Sequence, residues 1–278
     1  MDGRFKLAIV KMKSEENYIE INRQSWNNKT EHHIKSDFYD LDGFLKGNTS
    51  LQETELKLLG DISGKSILHL QCHFGQDSIS LSRLGAEVTG VDLSDKAIER
   101  AKELSAKTKS QTTFICCDIY DLPNHLNKQF DIVFTSYGTI GWLPDLDKWA
   151  KIVSRFLKPG GKFVFVEFHP VVWMFDDDFE KIAYNYFKAD AIIETEEGTY
   201  ADRKANIRQE NVTWNHSMSE VVNSLIKNDL IIDSLDEFDY SPYNCFNHTI
   251  ETQAKKYRIA HLDNKIPMVY AIQCTRKQ

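Results

Sequence analysis

The stretch from residue 66 to residue 94 constrains the fold of this chain most, because it reads as a strand, a tight turn, a helix and a second strand. The apolar run Ile67–Leu70 is typical of a strand that is buried on both faces. Gly75 permits a turn that a residue with a Cβ resists, and a helical pattern follows it. The second strand, 86–91, ends at Asp92. The stretch therefore predicts a βαβ unit within a parallel sheet.

Asp92 stands where such a unit presents a side chain to a ligand. Loops at the carboxyl ends of parallel strands face the ligand crevice of an open sheet. A carboxylate that follows the second strand can accept hydrogen bonds from both hydroxyls of a ribose. The position of Asp92 therefore indicates a nucleoside-containing ligand.

The alternation of strands and helices continues along the chain. Further strands are predicted at 112–117, 130–135 and 162–168, and helices at 94–107 and 146–157. Asp118 follows the third strand as Asp92 follows the second. Five strands that alternate with helices predict a doubly wound parallel sheet.

The regularity breaks after His169-Pro170. Residues 192–195 and 210–214 have the pattern of a hairpin, and Ser217 begins a capping box for a helix. Two further apolar runs, 230–238 and 268–274, read as the last strands.

Composition narrows the function classes. The chain has 278 residues, is 41% hydrophobic and carries a formal charge of −7, with its lysines and arginines scattered, so nucleic acid is not the expected partner. No apolar run approaches the ~20 residues that span a membrane, and residues 1–13 lack a continuous signal-peptide core. We expect a cytoplasmic protein without a membrane anchor. The five cysteines show no C-x-x-C pair and are expected to be buried apolar side chains.

Five features in this order resemble the class I S-adenosylmethionine-dependent methyltransferases. They are the turn after Ile67–Leu70, Asp92, Asp118, the fourth strand Phe-Asp-Ile-Val-Phe at 130–134, and Leu-Lys-Pro-Gly-Gly at 157–161. The match covers roughly residues 65–168. It implies an α/β fold with a Rossmann-like seven-stranded sheet of order 3-2-1-4-5-7-6, in which the last strand is antiparallel. It also implies an N-terminal helical cap over 1–64 and a methyltransferase domain over 65–278, in which 169–216 is a cap insertion.

The resemblance implies a site for S-adenosylmethionine at the carboxyl ends of the first four strands. The loop after the first strand would contact the methionine moiety, and the acids after the next two strands would contact the ribose and the adenine. The implied cofactor-binding residues are Gln71, His73 and Gly75 in that loop, Asp92 on the ribose hydroxyls, Leu93 and Ile119 as apolar walls of the adenine, Asp118 on its amino group, and Ser136 near the methionine ammonium.

The first motif departs from the family pattern. His69, Gln71 and His73 stand where the family has an acid and two glycines, and this His-Leu-Gln-Cys-His-Phe-Gly variant resembles one found in a bacterial subgroup of the family. A Cβ at 71 or 73 predicts a wider turn or a more distant cofactor. Two interpretations stay open. Either Gln71 and His73 bind the methionine carboxylate in place of backbone groups, or the site is degraded.

The same motif invites a metal hypothesis, since His69, Cys72 and His73 are close in sequence. Neighbouring side chains of a strand point to opposite faces, so these three are not expected to converge. No metal is expected.

We therefore expect a methyltransferase that acts on a small-molecule acceptor by in-line displacement. Transfer from a sulfonium needs a base only for a hydroxyl, a protonated amine or a carbon acceptor. His169 is the first candidate base, followed by Tyr137 and His216. The expected substrate pocket contains Trp26, Tyr39, Trp142 and Trp173.

Other classes remain as alternatives. One is a non-catalytic S-adenosylmethionine-binding protein. The other is a nicotinamide-dependent oxidoreductase, which needs a G-x-G-x-x-G turn that residues 71–77 do not supply. The chain is expected to be a monomer or a homodimer.

Overall fold

A computed structural model describes residues 16–278 of the chain. Its main sheet has seven strands in the order β3-β2-β1-β4-β5-β11-β8. These strands are β1 (Ser66–Leu70), β2 (Glu87–Asp92), β3 (Thr113–Cys116), β4 (Phe130–Ser136), β5 (Leu157–Phe168), β8 (Leu230–Phe238) and β11 (Val269–Arg276). This order confirms the predicted one, and the last strand, β11, is antiparallel to both of its neighbours as predicted.

Helices flank this sheet and precede it. They are α1 (Tyr18–His33), α2 (Leu41–Leu45), α3 (Glu53–Leu59), α4 (Gln76–Arg83), α5 (Asp95–Thr108), α6 (Leu122–His125), α7 (Leu146–Phe156) and α8 (Met218–Lys227). The hydroxyl of Ser94 accepts a hydrogen bond from the Ala97 N–H at 3.0 Å, which caps α5 as the sequence predicts. In the described part of the chain, no helix is both long and apolar enough to cross a bilayer.

The central strand β1 is buried along its whole length. Ile67 packs in one apolar cluster with Leu81, and Leu68 packs in another with Trp149. Successive side chains of a strand point to opposite faces, so β1 contributes to the core on both sides of the sheet. This packing leaves the carboxyl ends of the strands as the place for polar side chains.

The start of β5 differs from the prediction. We expected a turn at 158–161 and a strand from residue 162, but the strand begins at Leu157. Phe130 pairs with Leu157 and Ile132 with Lys162, so residues 158–161 form an irregularity within the strand, with Gly160 at φ +75°. A glycine takes this left-handed conformation without a steric cost.

Two hairpins stand apart from the main sheet. The predicted one is confirmed, with β6 (Ile192–Glu197) antiparallel to β7 (Arg208–Thr213). The second joins β9 (Thr249–Gln253) to β10 (Lys256–Ile259) and was not predicted from the sequence. Its strands are short and largely polar, so they lack the apolar alternation by which a strand is detected.

Helix α1 lies between the β6–β7 hairpin and α5. The side-chain amide of Asn22 donates to the Val212 carbonyl at 2.8 Å and accepts from the Val212 N–H at 2.9 Å. On the other side, Glu31 forms an ion pair with Arg100 at 3.0 Å. The first 15 residues of the predicted cap lie outside the described residues, and the division into cap and domain stays a prediction.

Candidate active site

The loop after β1 keeps a tight turn without the glycines of the family pattern. Gln71 and His73 have φ values of +54° and +50°, and Gly75 has +80°. The Gly75 N–H donates to the Cys72 carbonyl at 3.0 Å, so the turn is closed. The wider turn, one of the two predicted consequences of a Cβ at 71 or 73, does not occur. The left-handed conformation costs a residue with a Cβ about 1–2 kcal/mol. Strain of this kind concentrates at functional sites.

At positions 71 and 73 this chain has residues with a Cβ, but position 75 has no space for one. A Cβ at this position would lie 2.7 Å from the ring of Phe114, closer than packing allows. The surviving glycine is therefore required by contact with β3 as well as by its backbone angle.

Asp92 joins this loop to the start of α5. Its Oδ2 accepts the His73 N–H at 2.7 Å and its Oδ1 accepts the Ser94 N–H at 2.8 Å. Burial raises the pKa of Asp92 to about 6, and the backbone N–H groups of Ser94, His73 and Leu93 act in the opposite direction. Each carboxylate oxygen has two lone pairs, so Asp92 can accept two further hydrogen bonds.

Asp118 lies at the same edge of the sheet. In the parallel pairing of β2 with β3, Asp92 lies opposite Cys116, which is two residues before Asp118. Asp118 Oδ1 accepts the Tyr120 N–H at 3.1 Å and caps the short helical turn Ile119–Asp121, and within residues 16–278 its other oxygen accepts no hydrogen bond. The two predicted apolar walls of the adenine, Leu93 and Ile119, directly follow Asp92 and Asp118 in sequence. Leu93 is partly exposed and Ile119 is buried.

Several buried polar atoms of this region have no hydrogen-bond partner in the described structure. The Gln71 amide nitrogen donates to the Thr139 carbonyl at 2.8 Å, which leaves the amide oxygen unpaired. The Nε2 of His73 and both ring nitrogens of His33 are also unpaired. An unpaired buried polar atom costs about 1–3 kcal/mol. These atoms fit a bound molecule that carries hydrogen-bond donors and acceptors.

Aromatic side chains surround His73. Its ring centroid lies 5.2 Å from that of Trp26, 5.2 Å from that of His33 and 5.5 Å from that of Tyr39, and Trp26 lies 5.2 Å from Trp142. Three of the four predicted pocket residues therefore come together here. We call Trp26, His33, Tyr39, His73 and Trp142 the aromatic cluster.

The fourth predicted pocket residue, Trp173, lies elsewhere. It is 40% exposed, and its ring contacts Phe168 and Phe246, each at 5.8 Å. The sequence could not show this, because an aromatic residue in a non-repeating segment has no period that reveals what it contacts.

Lys29 is a residue that the sequence analysis missed. Its side chain is 3% exposed, and its Nζ lies 5.2 and 5.0 Å from the rings of Trp26 and Trp142 and 2.8 Å from Glu196. Burial lowers the pKa of Lys29, and the Glu196 carboxylate opposes this shift. The only sequence feature that could have indicated Lys29 is its place in a polar stripe of helical period on α1. Such a stripe normally faces solvent, so it does not predict a buried lysine.

A second polar group lies at the exit of β4. The Tyr137 hydroxyl donates to the Glu55 carboxylate at 3.0 Å, and the Ser136 hydroxyl donates to Asp77 Oδ2 at 3.5 Å. Burial raises the pKa of Glu55 to about 7, with a further contribution from the Asp77 charge. Burial likewise raises the pKa of Asp77. We call Glu55, Asp77, Ser136 and Tyr137 the carboxylate group.

Glu55 and Asp77 were not predicted as site residues, although Glu55 carries a signal in the sequence. It lies four residues after Leu51, which precedes α3, and four residues before Leu59 in α3, and both leucines are buried. This period calls for an apolar side chain at position 55. An acid in a core-facing position is a candidate functional residue.

His169 is not brought to either group. Its Nδ1 accepts the Val171 N–H at 3.2 Å, and its Nε2 lies 2.9 Å from the Glu237 carboxylate. With one ring nitrogen accepting a backbone N–H and the other donating to an acid, neither is free to take a proton. The prediction of His169 as the first candidate base finds no support in this geometry. His216 Nε2 donates to the Leu143 carbonyl at 2.8 Å, and its Nδ1 lies 3.1 Å from the Glu220 carboxylate without a hydrogen bond in the described structure.

Glu167, also missed, shapes the loop after β4. This 2% exposed carboxylate accepts the N–H groups of Gly138, Thr139 and Ile140. It thereby holds the carbonyl of Thr139 where the Gln71 amide reaches it. A single acid within an apolar strand was the only sequence signal.

The comparisons with known proteins agree with this arrangement. Residues 67–161 match a family model described as a methyltransferase domain. An uncharacterized methyltransferase of Synechocystis is 35% identical over 131 residues, which are 46% of this chain and 59% of that protein. A demethylmenaquinone methyltransferase of Lactococcus lactis is 32% identical over 162 residues, 56% of this chain and 62% of that protein. The chain thus covers less than two thirds of the length of these relatives.

Solved structures share the fold over a larger part of the chain. An S-adenosylmethionine dependent methyltransferase from Mesorhizobium loti has a TM-score of 0.56 at 22% identity, covering 84% of this chain and all of that one. A geranyl diphosphate C-methyltransferase from Streptomyces coelicolor, solved with S-adenosyl-L-homocysteine, has a TM-score of 0.54 at 16% identity, covering 81% of this chain and 77% of that one. At these identities the similarity is one of fold.

Proposed function

We propose that this chain is an S-adenosylmethionine-dependent methyltransferase that acts on a small-molecule acceptor. The observation that carries the proposal is the pair of unpaired buried atoms, Gln71 Oε1 and His73 Nε2, beside the Asp92 carboxylate at the ends of β1 and β2. The methyltransferase family model covers this same loop.

The residues present suit the groups that the cofactor offers. The ribose hydroxyls would donate to the two remaining lone-pair positions of Asp92, and the adenine amino group to Asp118. The methionine carboxylate would accept from His73 and its ammonium would donate to Gln71. The proposed cofactor residues are Gln71, His73, Gly75, Asp92, Leu93, Asp118, Ile119 and Ser136.

When bound, S-adenosylmethionine supplies a methyl group on a sulfonium, whose leaving group is already activated. The chain then has to orient the acceptor and exclude water. Helix α1 supports this by lying against both α5 and the β6–β7 hairpin, as the contacts of Glu31 and Asn22 indicate. The aromatic cluster provides the apolar walls.

The similar proteins do not identify the methyl acceptor of this chain. A demethylmenaquinone methyltransferase and a geranyl diphosphate C-methyltransferase, both similar to this chain, are named for chemically different acceptors. One scaffold hosts many acceptors, so the proposal is limited to a small molecule that contacts Trp26, Tyr39 and Trp142. Neither the non-catalytic alternative nor the oxidoreductase alternative is favoured by any comparison.

Calorimetric titration with S-adenosylmethionine and S-adenosylhomocysteine tests the proposal. We expect both to bind in the micromolar range, and Asp92→Ala to abolish binding while the circular dichroism spectrum is retained. A folded wild-type protein that binds neither compound would refute the proposed function. Enhancement of NADH fluorescence would instead favour the oxidoreductase.

A further inference from the structure

The carboxylate group contains an acid that cofactor binding does not use. Glu55 is fully buried, and its Oε2 accepts the Tyr137 hydroxyl at 3.0 Å. Tyr137 directly follows Ser136, a proposed cofactor residue, at the exit of β4. Within residues 16–278, no lysine or arginine forms an ion pair with this carboxylate. A buried carboxylate without a cation is costly and calls for an explanation.

Helix capping accounts for only part of this arrangement. Gln52 and Glu55 form a capping box, in which Glu55 Oε1 accepts the Gln52 N–H at 3.3 Å. A capping box is satisfied by an exposed acid or by an amide, so it explains neither the burial nor the bond from Tyr137 to the other oxygen.

We propose that Glu55 is the proton acceptor of methyl transfer and that Tyr137 relays the proton to it. This inference rests on the proposed methyltransferase function. In the step, the bond to the methyl carbon is formed by a lone pair of a hydroxyl oxygen, or by the electron pair that an amine nitrogen keeps when its N–H proton leaves. The carbon–sulfur bond breaks with its electron pair going to sulfur. The proton of the acceptor passes to the Tyr137 oxygen as the Tyr137 hydroxyl proton passes to Glu55 Oε2. Glu55 ends as a neutral acid and Tyr137 is unchanged.

The assignment defines the class of acceptor. A relay is needed only when the attacking atom carries a proton that must leave, as in a hydroxyl or a protonated amine. Glu55 and Asp77 together repel a carboxylate or phosphate placed beside the Tyr137 hydroxyl, because like charges in a buried site are strongly unfavourable. The acceptor is therefore a neutral or cationic molecule with a protic nucleophile.

The charged and titratable groups around Glu55 come from four elements. They are Asp77 of α4, Tyr137 after β4, Tyr243 between β8 and β9, and Lys255 between β9 and β10, whose Nζ lies 3.3 Å from the Gln52 amide oxygen. A pKa of about 7 leaves Glu55 half protonated in the free protein at neutral pH. A positive sulfonium nearby would favour its ionised form.

The test compares proton release on binding of S-adenosylmethionine and of S-adenosylhomocysteine, which differ in the sulfonium charge. Titration calorimetry at pH 7 in phosphate and in Tris gives the number of protons for each ligand. We expect the wild-type protein to release up to about half a proton more with S-adenosylmethionine, and Glu55→Gln to remove this difference. Gln keeps the capping box, and Glu53→Gln, an exposed acid of the same helix, is the matched control.

The outcomes separate the two proposals. Equal proton release with both ligands would overturn the role of Glu55 and leave the methyltransferase function standing, whereas absence of binding would refute that function. Should Glu55→Gln fail to fold, Tyr137→Phe provides the second measurement. Loss of the Tyr137 hydrogen bond removes a contribution that lowers the pKa of Glu55, so the pH at which the difference is largest is expected to rise. An unchanged pH of the maximum would also count against the inference.

Discussion

Asp92→Asn changes one oxygen of the proposed ribose contact into an amide nitrogen. In the structure each oxygen of Asp92 already accepts one backbone N–H, from His73 and from Ser94. An amide offers one accepting atom instead of two and carries no charge. One hydrogen bond from a ribose hydroxyl to a charged group would be lost.

The expected loss of affinity follows from that bond. Hydrogen bonds to charged groups are worth about 1.5–3 kcal/mol, so S-adenosylhomocysteine should bind about 10- to 150-fold more weakly. Folding stability should change less. An N–H group loses its acceptor, but the ionised carboxylate is itself unfavourable at pH 7, because burial raises the pKa of Asp92 to about 6. The two effects offset each other to within about 2 kcal/mol.

Calorimetric titration with S-adenosylhomocysteine and urea unfolding measure the two quantities on the same variant. Asp131→Asn is the matched control, because Asp131 begins β4 at the opposite end of the sheet. It accepts from Ser66 at 2.9 and 2.6 Å and pairs with Lys158 at 2.8 Å. These contacts hold the pKa of Asp131 well below its usual range. The control should lower the free energy of unfolding by about 1–2 kcal/mol and leave the affinity unchanged.

The reasoning would be refuted if Asp92→Asn bound S-adenosylhomocysteine as tightly as the wild-type protein. It would also be refuted if Asp131→Asn lost as much affinity as Asp92→Asn. In that case the affinity would depend on the integrity of the sheet and not on a contact at Asp92.

Three further predictions concern pH, the first loop and the buried ion pair. Because the pKa of Asp92 is raised to about 6 and the ribose hydroxyls need the ionised form, the dissociation constant measured by calorimetry should rise about tenfold per pH unit below pH 6, and a flat profile would contradict this. The same raised pKa means that the free protein loses stability as the pH rises from about 4 to 6. Gly75→Ala should lower the free energy of unfolding in urea by about 2–5 kcal/mol, since φ is +80° and a ring lies 2.7 Å from the added Cβ. Gly64→Ala, with φ +72° in the Ile62–Lys65 turn and open space around the added Cβ, should cost only about 1–2 kcal/mol, and equal losses would argue against the contact. Glu196→Gln should lower the free energy of unfolding by about 1–3 kcal/mol, because the ammonium of Lys29 stays buried without its counter-ion; an unchanged midpoint in urea would show that the pair is not needed.

The alternating strands and helices, and the shared sheet edge of the proposed cofactor residues Asp92 and Asp118, could be read from local patterns. Strand β1 is marked by an apolar run, the turn by Gly75, and the helix after β2 by the N-cap Ser94. Each of these signals lies within a few residues of the element it specifies. The position of Asp92 and Asp118 at one edge follows from their places after neighbouring parallel strands.

The acceptor half of the site was predicted less well. His169 has the sequence of a loop residue after a strand, but its partner Glu237 lies 68 residues away. Glu55 becomes a candidate proton acceptor through Tyr137, which is 82 residues away. Contacts at such separations leave no spacing in the sequence from which they can be deduced.

The sequence by itself determined the alternation of strands and helices, the turn after β1 and the two acids that follow β2 and β3, because hydrophobic period, glycine and capping residues act over a few neighbouring positions. The order of the strands within the sheet was implied by the resemblance to a known family and not by these local signals. Only the tertiary structure decided that α1 buries a polar face, through Asn22 on Val212 and Lys29 on Glu196. It also decided that Gln71 and His73 adopt the left-handed conformation. The physical reason is that buried polar groups and strained backbone are unfavourable in isolation, and they persist only where distant parts of the chain supply the compensating contacts.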